Sequence, residues 1–178
     1  LPCGDSYYET AFKVREICRW ALNHGHKEMF KTDDDTYVRP ERVERSLFAN
    51  HEFVCRVLPP TDINHPVPYP YGGCGYYLGE RMLELAANDK QCVSDPEGDT
   101  WARCNTYEDG WIGRVARDAG VSLTDDHRLK LLRYANGDIE GYPWTIEAPA
   151  QHNNMIAVCE FPDEKMYEVH RHFEESWT

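Results

Sequence analysis

The stretch Lys31-Thr32-Asp33-Asp34-Asp35-Thr36-Tyr37-Val38 decides how the rest of the chain is read. Three adjacent carboxylates repel one another, and that charge is best tolerated where a cation offsets it. Met29-Phe30, an apolar pair, precedes them, and the helix-start pattern Arg39-Pro40-Glu41 follows. The triplet is therefore expected at the exposed end of a strand, just before a helix, which is where open α/β sheets bind ligands. Carboxylate oxygens there suit Mg²⁺ or Mn²⁺, and such ions in turn bridge phosphate oxygens. The competing reading is a solvated acidic turn. An EF-hand loop is ruled out, because counting from Asp33 puts Val38 where that loop needs glycine.

Composition narrows the field. A length of 178 residues with 41% apolar and 12% aromatic side chains suits one globular domain with a real core. A net charge of -12 disfavours tracking a phosphate backbone, so nucleic acid is not an expected partner. No apolar run approaches the length of a membrane span. Any membrane association is expected to come from a segment outside this chain, which begins at Leu1 rather than Met. Seven cysteines without a CxxC pair argue against a structural zinc site. Cys18 falls on the apolar side of a helix and reads as a core thiol, while Cys92 and Cys104 flank a loop that a disulfide could close.

Taken in order, Ser6-Tyr7-Tyr8-Glu9 fits a capping box, and Ala11, Val14, Cys18 and Ala21 recur at helical spacing up to Gly25. This predicts a helix over residues 7–23. Further helices are predicted over 40–47, 79–87 and 108–119, the last with Gly120 as its stop, and a terminal one after Phe161. Strands are predicted over 52–58, 75–78, 129–133, 144–148 and 155–159, with a hairpin turn at Asn136-Gly137-Asp138. Residues 59–75, rich in Pro, Gly and Tyr, read as an ordered loop. The alternation implies an α/β fold, with a mixed sheet because of the hairpin.

Two more stretches carry candidate chemistry. Tyr107-Glu108-Asp109-Gly110-Trp111 opens a helix with paired acids, which either complement the helix dipole or supply a general base. Tyr69-Pro70-Tyr71-Gly72-Gly73-Cys74-Gly75-Tyr76 lacks the spacing of a dinucleotide or P-loop fingerprint; its glycines allow close backbone approach to a ligand or simply tight packing. Tyr69, Tyr71, Trp111 and Trp144 are candidate sugar-stacking rings, with core packing as the alternative, and His127 and His152 are candidate metal ligands.

Order and spacing together resemble a known family. Asp5-Ser6-Tyr7-Tyr8, Lys13 and Trp20, then Phe30 to Val38 with Pro40-Glu41, are similar to the family-31 glycosyltransferases of the β1,3-galactosyltransferase and Fringe-like kind. Tyr69 to Leu78 resembles that family's YP-x-Y-x-x-G-x-GY segment, and Glu108-Asp109 with Gly113 its ED-x-x-x-G motif. The resemblance covers roughly residues 5–121. It implies a GT-A fold in a single catalytic domain over residues 1–178, whose first nucleotide-binding strand would lie upstream of this chain. It implies an inverting, metal-dependent hexosyltransferase that uses a nucleotide-sugar donor, UDP-linked, and a glycan acceptor. Asp33-Asp34-Asp35 would be the DxD motif, with Asp35 the direct ligand of Mn²⁺ or Mg²⁺ and Asp33 beside it. Lys31, Asp34 and Gly73 would contact the donor, and Asp109 would be the catalytic base. A family metal histidine would precede Phe161-Pro162-Asp163-Glu164-Lys165-Met166; that position falls on Cys159, and His152 is the nearest substitute. Residence in the Golgi lumen would follow from the same likeness, with the cytoplasm the expectation if no targeting segment exists. The alternative is a non-catalytic sugar- or nucleotide-binding module on the same fold, or a structural piece of a larger enzyme.

Overall fold

The structure, a computed structural model, describes residues 9–60, 67–94, 107–131, 133–135, 138–140, 156–159 and 170–171. Within them the chain runs α1 (Thr10–Asn23), β1 (Met29–Lys31), β2 (Tyr37–Val38), α2 (Pro40–Arg45), a 3₁₀ turn (Leu47–Asn50), β3 (Phe53–Leu58), β4 (Tyr69–Tyr71) and β5 (Tyr76–Leu78). It continues with α3 (Glu80–Ala87), α4 (Glu108–Asp118), β6 (Thr124–Asp125), β7 (Leu129–Leu131), β8 (Arg133–Ala135), β9 (Asp138–Glu140) and β10 (Ala157–Cys159).

The main sheet has the order β1-β5-β3-β4, antiparallel throughout, and β6 joins β3 in parallel. A second sheet sets β10 antiparallel to β2 and parallel to β7. β8 and β9 form the hairpin anticipated around Asn136-Gly137, with Ala135 opposite Asp138. The expected mixed sheet flanked by helices is the observed architecture.

Period-2 alternation divides the core in two. Phe53, Cys55, Tyr76 and Leu78 face α1, α3 and α4, and all four are buried. Their neighbours Val54 and Tyr77 face the opposite way, against Phe48, Leu129, Ile156 and Ala157. The helices contribute stripes at 3.6-residue spacing: Val14 and Cys18 from α1, Met82 and Leu83 from α3, Trp111 and Ile112 from α4. Alanines at 11, 21, 86, 87 and 116 let these helices approach closely. Burial of the Cys18 thiol pushes it up to about 12, an inert core thiol as the sequence suggested. Both α1 and α4 end in Schellman turns, with Gly25 and Gly120 at positive φ and backbone bonds His26 N–H to Ala21 O and Val121 N–H to Ala116 O.

Four expectations shift. α1 begins at Thr10, so Glu9 is its N-cap residue and makes no side-chain capping bond; its buried carboxylate accepts the Ser94 hydroxyl instead, and Ser6 lies outside the described residues. α2 stops at Arg45, where Ser46 turns extended and its hydroxyl donates to Arg42 O at 2.7 Å. Tyr69–Tyr71 is a strand rather than loop, with Pro70 opposite Val57. The two-residue strands β2 and β6 were not expected at all. The predicted strand 144–148, Cys104 and most of the terminal helix lie outside the described residues.

Candidate functional site

β1 runs directly into the acidic turn. Thr36 N–H closes it on Asp33 O at 3.3 Å, and the Thr36 hydroxyl donates to Gly73 O at 2.6 Å. The turn is thereby pinned to the glycine-rich segment, whose own turn is closed by Gly75 N–H to Gly72 O at 2.9 Å. Gly75 sits at φ +80°, and a Cβ there would stand 2.7 Å from Lys31 O, so only glycine fits between β5 and the end of β1. At Gly72 a Cβ would stand 2.7 Å from a Glu108 carboxylate oxygen, which brings the third motif to the same place.

Lys31 connects them. Its Nζ lies 2.5 Å from Asp33 Oδ1 and 3.1 Å from Glu108 Oε2, with the side chain only 9% exposed. The other oxygen of Glu108 accepts the Tyr76 hydroxyl. Burial works against a charged Lys31, but Glu108 and Asp33 outweigh it and hold its pKa above the ordinary value. Burial raises the Glu108 carboxyl, opposed by Lys31 and by the Tyr76 hydroxyl; with the same carboxylate beside it, buried Tyr76 is pushed well above the ordinary phenol range.

The remaining acids of the two motifs are placed differently. Asp34 and Asp35 are exposed, and no salt bridge reaches either among the described residues. Partial burial and the neighbouring charges of Asp33 and Asp34 raise the Asp35 pKa, which only a weak contact from the Thr36 hydroxyl at 3.4 Å and a backbone bond oppose. Burial and the adjacent carboxylates thus act together against the ionised form of Asp35. Asp109 is half-buried at the start of α4, where its Oδ1 accepts Gly110 N–H at 2.8 Å. It is adjacent in sequence to Glu108 and within reach of Gly72, whose added Cβ would stand 3.5 Å from the Asp109 Cβ.

Among the described residues, no group of three or more His, Cys, Asp or Glu is arranged as a metal cage. The donor set present is a pair of carboxylates, Asp34 and Asp35, without a protein cation. This fits an ion such as Mg²⁺, which binds through one or two carboxylates and completes its shell with substrate phosphates and water.

No protein-family model matches this chain, and a search of curated proteins finds no match. Solved structures do match. One is the crystal structure of a glycosyltransferase involved in the glycosylation of the major capsid of PBCV-1, 14% identical, covering 95% of this chain and 79% of that one, with a TM-score of 0.48. The identity is too low to carry side-chain roles from one protein to the other.

Of the residues singled out from sequence, the structure thus brings together Lys31, Asp33, Gly73 and, through Glu108, the helix start that carries Asp109. His152 and Trp144 lie outside the described residues. Trp111 is not a sugar platform: it is fully buried, and its indole N–H donates to Asp89 at 2.7 Å. His127 is exposed, and its contacts are with Arg56 and Asp125. Sequence reasoning missed the structural parts of Glu108, Tyr76 and Thr36. The signal for Thr36 was present, a hydroxyl closing an acidic turn; the Glu108–Tyr76 contact spans 32 residues and left no local trace.

Proposed function

We propose that the chain is an inverting glycosyltransferase of the GT-A kind, related to the family-31 enzymes, that moves a hexose from a nucleotide-diphosphate donor, UDP-linked, to a glycan hydroxyl. The observation that carries this reading is the convergence on Lys31 of two acidic stretches, through Asp33 two residues away and Glu108 77 residues away. An inverting transfer needs separate acids for separate tasks. One carboxylate takes the proton of the acceptor hydroxyl as its oxygen bonds to the anomeric carbon and the bond to the diphosphate breaks. Others must sit where negative charge gathers on the leaving group.

Glu108 is unsuited to the first task, since Lys31 and the Tyr76 hydroxyl occupy both of its oxygens. Asp109, half-buried and next in the chain, is the base in this reading. Asp35, with Asp33 beside it, would hold Mn²⁺ or Mg²⁺, His152 is the candidate third ligand, and the exposed Asp34 lies next to them for the donor. The ion would supply neutralisation of the diphosphate. Gly73, fixed by Thr36, offers backbone at the edge of the same turn for the donor to lie against.

The test is a screen of nucleotide sugars for transfer or hydrolysis with Mn²⁺ present, beside melting curves with Mn²⁺ and UDP. Turnover of one donor and a melting-temperature rise that EDTA reverses are expected. Absence of any nucleotide-dependent shift sinks the reading.

A further inference from the structure

We propose that Lys31 is a positioning residue that fixes the distance between the acidic turn and the base, by clamping Asp33 on one side and Glu108, the first residue of α4, on the other. The inference rests on the reading of Asp109 as base, and it gives the buried Lys31–Glu108–Tyr76 unit a task within that site. Three observations lead to it. First, the ammonium is enclosed: it has two carboxylate partners, and the Tyr76 ring centroid is 5.4 Å away, within cation–π range. To touch a donor phosphate instead, it would have to abandon both carboxylates in a place only 9% exposed. Second, Glu108 is held at both carboxylate oxygens, by Lys31 and by the Tyr76 hydroxyl, and it packs over Gly72 in space that any side chain there would take. Third, Asp109 follows Glu108 directly at the first turn of α4, so whatever fixes Glu108 fixes where Asp109 stands. On the other side, Asp33 O closes the turn that carries Asp34 and Asp35.

The test pairs a structural readout with a kinetic one on Lys31→Met and on Glu108→Gln, which keeps the shape of the partner. In amide hydrogen exchange, Lys31→Met should speed exchange roughly 10-fold in both 32–36 and 107–112, with α3 unchanged. Faster exchange confined to 32–36 overturns the clamp. In transfer assays kcat should fall about 100-fold, the cost of a misplaced catalytic group, while the donor KM stays within about threefold. A donor KM that rises in step, with loss of the UDP-dependent melting shift, overturns it in favour of a phosphate contact. Lys31→Arg, which keeps the charge, should recover part of kcat; no recovery together with unchanged exchange also overturns it. If Lys31→Met does not fold, Glu108→Gln is read in the same two assays with the same criteria. Should the native protein show no transfer, the base assignment fails, and exchange alone still decides whether Lys31 joins the two segments.

Discussion

The acidic turn and the start of α4 pose the same physical problem and solve it differently. Each places carboxylates side by side. At α4 the first acid, Glu108, is enclosed and matched with Lys31 and the Tyr76 hydroxyl, while the second, Asp109, stays half-buried. At the turn the first acid, Asp33, takes the same lysine, while Asp34 and Asp35 stand exposed with no ion-pair partner among the described residues. One cation thus settles one acid in each stretch, Glu108 in one and Asp33 in the other. The lesson is that adjacent identical charges need not share a role: the enclosed member ties elements together, and its neighbour is the one the proposed function assigns to the ligand.

Several substitutions would break or sharpen that division. The largest expected effect is from Asp109→Asn. Removing a general base should cost about 10²–10⁴-fold in kcat, while melting shifts with Mn²⁺ and UDP survive. Retained transfer would show that Asp109 is not the base, and loss of the melting shift as well would show it to be part of the donor site.

Next comes Asp35→Ala, which should erase the Mn²⁺-dependent stabilisation, worth about 2.7 kcal/mol at a ligand concentration 100 times Kd. A companion, Asp35→Asn, carries a pH signature. Because the folded protein raises this pKa, the ionised carboxylate costs stability at neutral pH. The amide variant should therefore melt higher than the native protein in EDTA at pH 7, and the gain should vanish as pH falls below the ordinary carboxylate value. A lower melting point in EDTA would mean that Asp35 is paired after all.

Gly72→Ala probes the enclosed acid. Its Cβ would stand 2.7 Å from Glu108 Oε2, and relief of that overlap should cost about 1–3 kcal/mol in denaturant unfolding. The smallest effect is the control, Lys27→Ala. Lys27 pairs with Glu80 at 3.2 Å, but both side chains are open to solvent, so stability should change by less than about 0.5 kcal/mol. A larger loss would blur the distinction between enclosed and open lysine–carboxylate contacts.

Much of the scaffold was legible in the sequence. α1 and α4 announce themselves through apolar periodicity and glycine stops, α3 as a run after Gly79, and the hairpin through Asn136-Gly137. β4 was hidden because Pro70 sits in a proline- and glycine-rich run; it is tolerated there because, among the described residues, β4 pairs only with β3. Strands as short as Tyr37–Val38 and Thr124–Asp125 offer no period to detect. Within the candidate site, the cation-seeking triplet was visible because charge repulsion is local. The double engagement of Lys31 was not, because one of its partners is two residues away and the other 77. Single-sequence patterns report neighbours in the chain, and this lysine's main neighbour is brought by the fold.

The course of the backbone around the triplet has a mechanical meaning. β1, just before it, belongs to the main sheet, while β2, just after it, belongs to the second sheet through Val38 and Ala157. Residues 32–36 are thus one covalent joint between two sheets, as residues 126–128 are between β6 and β7, and the carboxylates ride on the first of these. Any sliding of one sheet past the other must bend these five residues, and anything that stiffens them resists the slide. A ligand gripping Asp35 would act as a splint across the two sheets, felt as far away as β7 and β10.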